Sequence, residues 1–304
     1  MTAEGTTATR WPAGARRPSG LLRDLDHPAQ VFEHLGPNWF ASVMGTGIVA
    51  VAAAGLPVQP PGLRPAATVV WALAAAWLLA LAATWVVHWT RHRDRARGHA
   101  ANPVLAHFWG APAMALLTVG AGTLTLGRDW IGHQAAVAVA VALWSAGTLL
   151  GLVTSVWIPY RAMTGHTVAA NAAFGGWLMP VVPPMVSAAT GAALVPHVPA
   201  GQARLTLLVA CYAMFGASLI AGFVVIAQIW SRLMHHGPGA AVMAPTLWIV
   251  LGPLGQSVTA ANLLGDVAAD ALPVRTPPAP RSSGSCTACP PGASRCCGSR
   301  SPRR

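Results

Sequence analysis

The sequence predicts an all-α integral membrane protein, and three observations carry that prediction. The first is composition: 54% of the 304 residues are hydrophobic and 9% charged, with a mean hydropathy of +0.51. A soluble domain carries about 25% charged residues. The second is that the charges cluster, leaving seven uncharged windows at 38–63, 65–90, 98–127, 130–160, 162–203, 205–231 and 233–265. Each is long enough for one membrane span of about 20 residues. The third is an alternation between windows: odd-numbered ones are rich in glycine and proline, and even-numbered ones are not.

In chain order, residues 1–35 are polar, contain four arginines and lack an apolar run. This stretch is too polar for a signal peptide and reads as a mostly disordered cytoplasmic arm ending in a short amphipathic piece near Val31 and Phe32. Span 1 is placed at about Asn38–Leu56. Span 2 covers about Ala66–His88 and is followed by RHRDRAR at 91–97. Spans 3 and 4 cover about Pro103–Leu126 and Ile131–Ile158, span 6 about Leu205–Trp230, and span 7 about Ala241–Ala268. The transmembrane domain is thus 36–272.

Span 5, Asn171–Val195, is the most informative: 25 residues without a charge, with Pro180, Pro183 and Pro184 at its middle and Gly175, Gly176 and Gly191 around them. A proline inside a helix removes a backbone donor and crowds the preceding turn. A carbonyl freed in lipid costs several kcal/mol unless something answers it. Such a helix belongs inside a bundle, and it reads as pore wall.

The alternation extends this. Span 2 has no Gly or Pro between Ala66 and His88, span 4 has only Gly147 and Gly151 after Gly132 at its start and before its end, and span 6 only Gly216 and Gly222. Span 1 carries Gly45 and Gly47, span 3 Gly110, Pro112, Gly120 and Gly122, and span 7 Pro245, Gly252, Pro253 and Gly255. Small and helix-breaking residues allow close backbone approach around a path. The expected architecture is a series of helical hairpins, with odd helices around a central pore and even helices outside.

The formal charge of +11 does not point to nucleic acid. All 19 basic residues are arginine, and six lie in the last 32 residues. The rest, thirteen against eight acids, sit in short loops. The arm, the 2–3 loop, Arg161 and Arg232 hold ten arginines, while the opposite loops hold Arg64, Arg128 and Arg204. By the positive-inside rule the N-terminus is cytoplasmic, in a multi-pass protein of the cell membrane.

No Asp, Glu, Lys or Arg lies well inside a span, and catalysis needs a nucleophile or an acid/base pair, so the chain is not read as an enzyme. His107, about a turn into span 3, reads as a structural histidine, with pore gating or proton sensing as the other reading. Ser42, Thr46, Thr118, Thr123, Ser187, Gln256, Ser257 and Thr259 supply neutral polar groups that bond across helices or line the path. The candidate path residues are Gly45, Thr46, Gly47, His107, Gly110, Pro112, Pro180, Pro183, Pro184, Gly252, Pro253 and Gly255. Helices broken at proline are expected to expose N–H groups with partial positive charge, which favours a small anion weakly enough for entry and exit. No cofactor is implied. Cys211 reads as a packing residue. Cys286, Cys289, Cys296 and Cys297 have no histidine or folded frame beside them, so no metal site is assigned.

Three segments then become specific in text: GPNWFASVMGTGIVA (36–50), NPVLAHFWGAPAMALLTVGAGTL (102–124) and WLMPVVPPMVSAATGA (177–192). They closely resemble the tellurite-resistance/dicarboxylate transporter family, which includes bacterial TehA, yeast malic-acid transporters, fungal sulfite efflux pumps and plant slow-type guard-cell anion channels. The resemblance covers roughly 36–270. It implies ten helices in five hairpins, a homotrimer with one pore per subunit, and substrates such as C4-dicarboxylates, sulfite, tellurite, chloride or nitrate. The chain departs from that pattern at its end. From Pro273 it has seven Pro, six Arg, six Ser and four Cys and no Leu, Ile, Phe, Met or Trp. Residues 273–304 read as an out-of-frame tail, or as a disordered one. The gating phenylalanine implied for the ninth helix has no counterpart. The alternative to an anion transporter is therefore a truncated, non-transporting remnant of one.

Overall fold

The three even spans are unbroken α-helices: Leu63–Arg91, His133–Gly165 and Gln202–His236, of 29, 33 and 35 residues. Regular Ala/Leu/Val/Trp sequence without internal breakers keeps the i→i−4 ladder intact. Two prolines fall inside them, Pro65 in the first turn of span 2 and Pro159 near the end of span 4. These helices come from a computed structural model, which describes residues 35–165, 168–169 and 171–271. The arm at 1–34 and the tail at 273–304, with its four cysteines, lie outside the described residues. The described residues contain no strand and belong to one compact unit that ends at Ala271.

The odd spans are built differently, and in a consistent way. Each opens with a 3₁₀ segment before its α-helix begins. Pro37–Trp39 leads into Phe40–Ala54, and Leu105–Trp109 leads into Gly110–Gly122. In span 5 the segment is Gly175–Leu178, followed after a short break by Pro183–Leu194; in span 7 it is Ala241–Val250, followed by Leu251–Ala271. The four segments pack on one another in the order 1, 3, 5, 7 and form a collar at one end of the bundle. Below the collar the α-helices of the same spans pack in the same order. Span 2 lies against span 1, span 4 against spans 3 and 5, and span 6 against spans 5 and 7. The inner arc is odd and the outer layer even, as the distribution of glycine and proline predicts.

One expectation needs correction. Seven spans are predicted, but six described helices are long and apolar enough to cross a membrane. The missing one is span 5. Its prolines do not kink a 25-residue helix; Pro183 and Pro184 occupy the first positions of a new 12-residue helix. Proline is suited to that place, because the N–H it lacks would have no partner in the first turn. The chain therefore changes geometry between Leu178 and Pro183 instead of bending through it.

Burial separates the two central spans from the rest. In span 3, Leu105–Ile131, 83% of the most apolar window is buried, against 22–28% in spans 1, 2 and 4. Ten of the twelve residues from Pro183 to Leu194 are buried. Span 7 lies at the other extreme, with 6% of its window buried although its sequence resembles that of the inner spans.

The carbonyls around the break in span 5 are answered from outside. Ser218 of span 6 donates its hydroxyl to the Val181 carbonyl at 2.6 Å, and Trp144 of span 4 donates its indole N–H to the Ser187 carbonyl at 2.8 Å. Glycine permits the approach: an added Cβ on Gly191 would lie 2.6 Å from the Cys211 sulfur and 3.0 Å from Trp144 Nε1. Cys211 is thus a buried packing residue against span 5. Span 3 ends in a π-helical turn, Thr123–Gly127, against which Trp71 is seated with its indole N–H 3.4 Å from the Val119 carbonyl. Beyond it, Arg64 donates to Asp129 and to the Thr125 carbonyl, tying the start of span 2 to the end of span 3.

Candidate functional site

Where the inner arc curves, its helices enclose a cavity of about 170 Å³. It is lined by Met44 and Ile48 of span 1, and by Met114 and Thr118 of span 3. Span 5 adds Leu178, Met179, Val182 and Val186, and span 7 adds Ile249, Gly252, Pro253 and Gln256. Every described lining residue belongs to an odd span. The walls are largely apolar, with Thr118 and Gln256 as the polar side chains. Thr118 donates its hydroxyl to the Met114 carbonyl of its own helix at 2.8 Å, so its oxygen lone pairs remain to accept.

Close backbone contacts hold this arc together. Gly110, the first residue of the span 3 helix, lies against the Met179 carbonyl, and a Cβ there would overlap that oxygen. Gly175 meets the Thr246 carbonyl of span 7 in the same way. Gly47 faces Thr118, where a Cβ would come within 2.9 Å of the threonine methyl. These three glycines join span 1 to 3, 3 to 5 and 5 to 7.

The candidate path residues divide on this geometry. Gly252 and Pro253 line the cavity. Gly47, Gly110, Pro112, Pro180, Pro183 and Pro184 are buried in the walls behind it. Gly45, Thr46 and Gly255 are exposed and do not line it, and nothing lies within 4 Å of a Cβ built on Gly45 or Gly255. His107 sits in the 3₁₀ opening of span 3, before the α-helix begins. Its Nδ1 is 2.8 Å from the Pro103 carbonyl. Its ring stacks on Trp177 at 5.9 Å and 11° and meets Phe174 edge-on at 5.6 Å. It therefore joins the collar of span 3 to that of span 5 rather than lining the cavity.

Sequence reasoning missed the apolar lining. The available signal is a spacing of four residues, which repeats a side chain on one helix face: Met44 with Ile48, Met114 with Thr118, Val182 with Val186, and Gly252 with Gln256. It also stopped span 2 at His88. That residue is fully buried, with its ring 5.2 Å from His99 and 6.2 Å from His92.

The expectation that the proline break exposes N–H groups does not hold at span 5. Pro183 and Pro184 have no N–H, and the amides of Met185 and Val186 both donate to the Val182 carbonyl, at 2.9 and 3.3 Å. What remains is the aligned dipole of the helix that starts at Pro183, whose positive end is its N-terminus. Span 7 adds no helix end of this kind, because its 3₁₀ segment runs directly into the α-helix and the Leu251 N–H donates to the Trp248 carbonyl. The described lining of the cavity is largely apolar and uncharged.

Comparison with known proteins gives the chain a family. The family model described as voltage-dependent anion channel, SLAC1, matches residues 34–290. An uncharacterized transporter of Methanocaldococcus jannaschii is 27% identical over 242 residues, 79% of this chain and 67% of that protein. The sulfite efflux pump SSU1 of Trichophyton rubrum is 28% identical over 239 residues, 78% of this chain and 63% of the pump. The chain thus spans about two thirds of the length of these relatives. With a family match over most of its residues and an all-helical membrane architecture, the chain belongs to the voltage-dependent anion channel (SLAC1) family.

Proposed function

We propose that this protein moves small anions across the cell membrane along the path marked by the central cavity. The supporting observation is that, among the described residues, this cavity is lined by the glycine- and proline-rich spans and by no charged side chain. An anion entering it meets the positive end of the span 5 helix dipole instead of a fixed cation, so it is held weakly and released readily. Gly252 and Pro253 act as wall. Gly47, Gly110, Pro112, Pro180, Pro183 and Pro184 shape it, and Gly45, Thr46, Gly255 and His107 belong to the approaches. Sulfite is the first candidate substrate, because the named relatives include sulfite efflux pumps; malate, chloride, nitrate and tellurite follow from the resemblance in sequence. The N-terminus is assigned to the cytoplasm and the assembly to a homotrimer in the bilayer.

A second reading, that this chain by itself conducts nothing, is favoured by span 7, which buries only 6% of its window and so leaves one side of the arc uncovered. Reconstitution of the 304-residue chain in liposomes, with sulfite, malate, chloride and nitrate offered in turn, separates the two. Anion flux that follows voltage and the anion gradient supports the transporter. Absence of flux for every anion supports the second reading, and flux that requires a proton gradient contradicts the uncharged path.

A further inference from the structure

A second and larger cavity, of about 500 Å³, lies between the opening of span 5 and the end of span 6. Its size falls within the range of small-ligand sites, and its lining is unlike that of the central cavity. Gln228, Ser231, Arg232, His235 and His236 come from the last turns of span 6, and Trp177 closes it from the collar. Among the described residues none of the lining is acidic.

Arg232 is held in place by the turn that follows its helix. Its guanidinium donates to the Pro238 carbonyl at 2.9 Å. The chain reverses through Gly237 and Gly239, both at positive φ, 73° and 77°. A Cβ on Gly239 would overlap the guanidinium. One of the five guanidinium donors is thus used for positioning, and the planar fork keeps others for a ligand. One turn on, His235 is oriented in the same manner: its Nδ1 is 2.8 Å from the Ser231 carbonyl, so a ligand meets its Nε2. An arginine fixed by backbone, with hydroxyl and amide groups on the same face, is a donor set for anionic oxygens, to which His235 adds an Nε2–H donor when its ring is protonated.

We propose that this cavity is a peripheral oxyanion site, distinct from the central path, that takes a phosphate-type group through Arg232 and His235. The group comes either from a soluble anion or from an anionic lipid. Trp230 and Met234, exposed at 66% and 68% on the same stretch of span 6, would lie along the acyl chains of a lipid; basic pockets between membrane helices bind such headgroups. Through Trp177, which stacks on His107, the site touches the collar of the inner arc.

The test uses the full chain, purified in neutral detergent, with two probes. One is inorganic phosphate, followed by isothermal titration. The other is phosphatidylglycerol against phosphatidylcholine in mixed micelles, followed by native mass spectrometry. Arg232→Gln is expected to weaken binding of whichever probe binds by about tenfold or more, as loss of a charged hydrogen bond implies. Arg204→Gln removes the same charge at the other end of the bundle, where Arg204 holds the Val198 carbonyl, and is expected to leave binding within about twofold, like a surface change remote from the site. His235→Gln, which keeps the Arg232–Pro238 bond, is expected to weaken binding as well and serves if Arg232→Gln does not fold. Binding of phosphate alone assigns the soluble source, and retention of phosphatidylglycerol over phosphatidylcholine assigns the lipid. Failure of both probes to bind, or equal binding by wild type and both site variants, overturns the proposal.

Discussion

At the scale of single residues, what a glycine faces decides its role. Gly110 and Gly45 are both glycines at the cores of motifs in inner spans, yet one abuts a carbonyl oxygen and the other nothing within 4 Å. Gly110→Ala must push the Met179 backbone aside, and overpacking against an element that cannot yield costs about 1–3 kcal/mol or more. Gly45→Ala has open space, and its effect is expected to stay within about 0.5 kcal/mol. Thermal unfolding in detergent compares the two, and equal midpoints would mean that the span 3–span 5 contact is not tight. The sequence could not separate these glycines, because the separation depends on the partner each meets. Titration is also local. Burial chiefly, with His133 and Arg128 beside it, lowers the pKa of His197 from its usual 6.5, and the two imidazoles lie 5.1 Å apart. A lowered folded pKa means that protonation opposes the fold. Stability is then fully present above about 6.5 and falls as pH drops through 6.5 toward the lowered value. Melting midpoints between pH 7.5 and 5 should therefore decline, and decline less in His197→Gln; an unchanged slope in that variant would remove His197 as the cause.

At the scale of elements, the broken span 5 depends on its neighbours. Ser218 reaches the Val181 carbonyl beside the break, and Ser218→Ala leaves that buried acceptor unanswered at a cost of about 1–3 kcal/mol. Ser231→Ala, exposed on the same helix, is the matched control. If the two melt alike, the carbonyl is not stabilised from span 6. The position of span 5 was legible in the text of 171–195, and so was its unsuitability for lipid. Its form was not. Proline shows where a backbone donor is missing, but a lost donor is compatible both with a kink inside one helix and with the start of another. The 3₁₀ openings were hidden for a similar reason, since their residues have no composition of their own and their geometry is set where four spans meet. The even helices, by contrast, were legible almost to their ends, because an uninterrupted run of helix formers has only one regular solution in a bilayer.

At the scale of the whole molecule, the alternation of sequence has become an alternation of layers, with spans 1, 3, 5 and 7 inside and 2, 4 and 6 around them. The proposed orientation places the collar in the cytoplasm. Single cysteines in a background without the native ones, near Arg64, Arg128 and Arg204, should react with an impermeant thiol reagent in intact cells. Cysteines near Arg93 and Arg232 should react only after permeabilisation, and external labelling of the 91–97 loop would reverse the orientation. The central claim is that anions pass through the cavity bounded by odd spans, and its most direct measurement is flux into liposomes after bulk is placed on each layer. Thr118→Trp and Gly252→Trp put an indole into a cavity of about 170 Å³, whereas Ile220→Trp adds it to an outward face that is 69% exposed. Flux at least about tenfold lower in both cavity variants, equivalent to about 1.4 kcal/mol on the barrier, with Ile220→Trp near wild type, is the predicted result. Flux that survives both cavity substitutions, or that falls equally in all three variants, would contradict it.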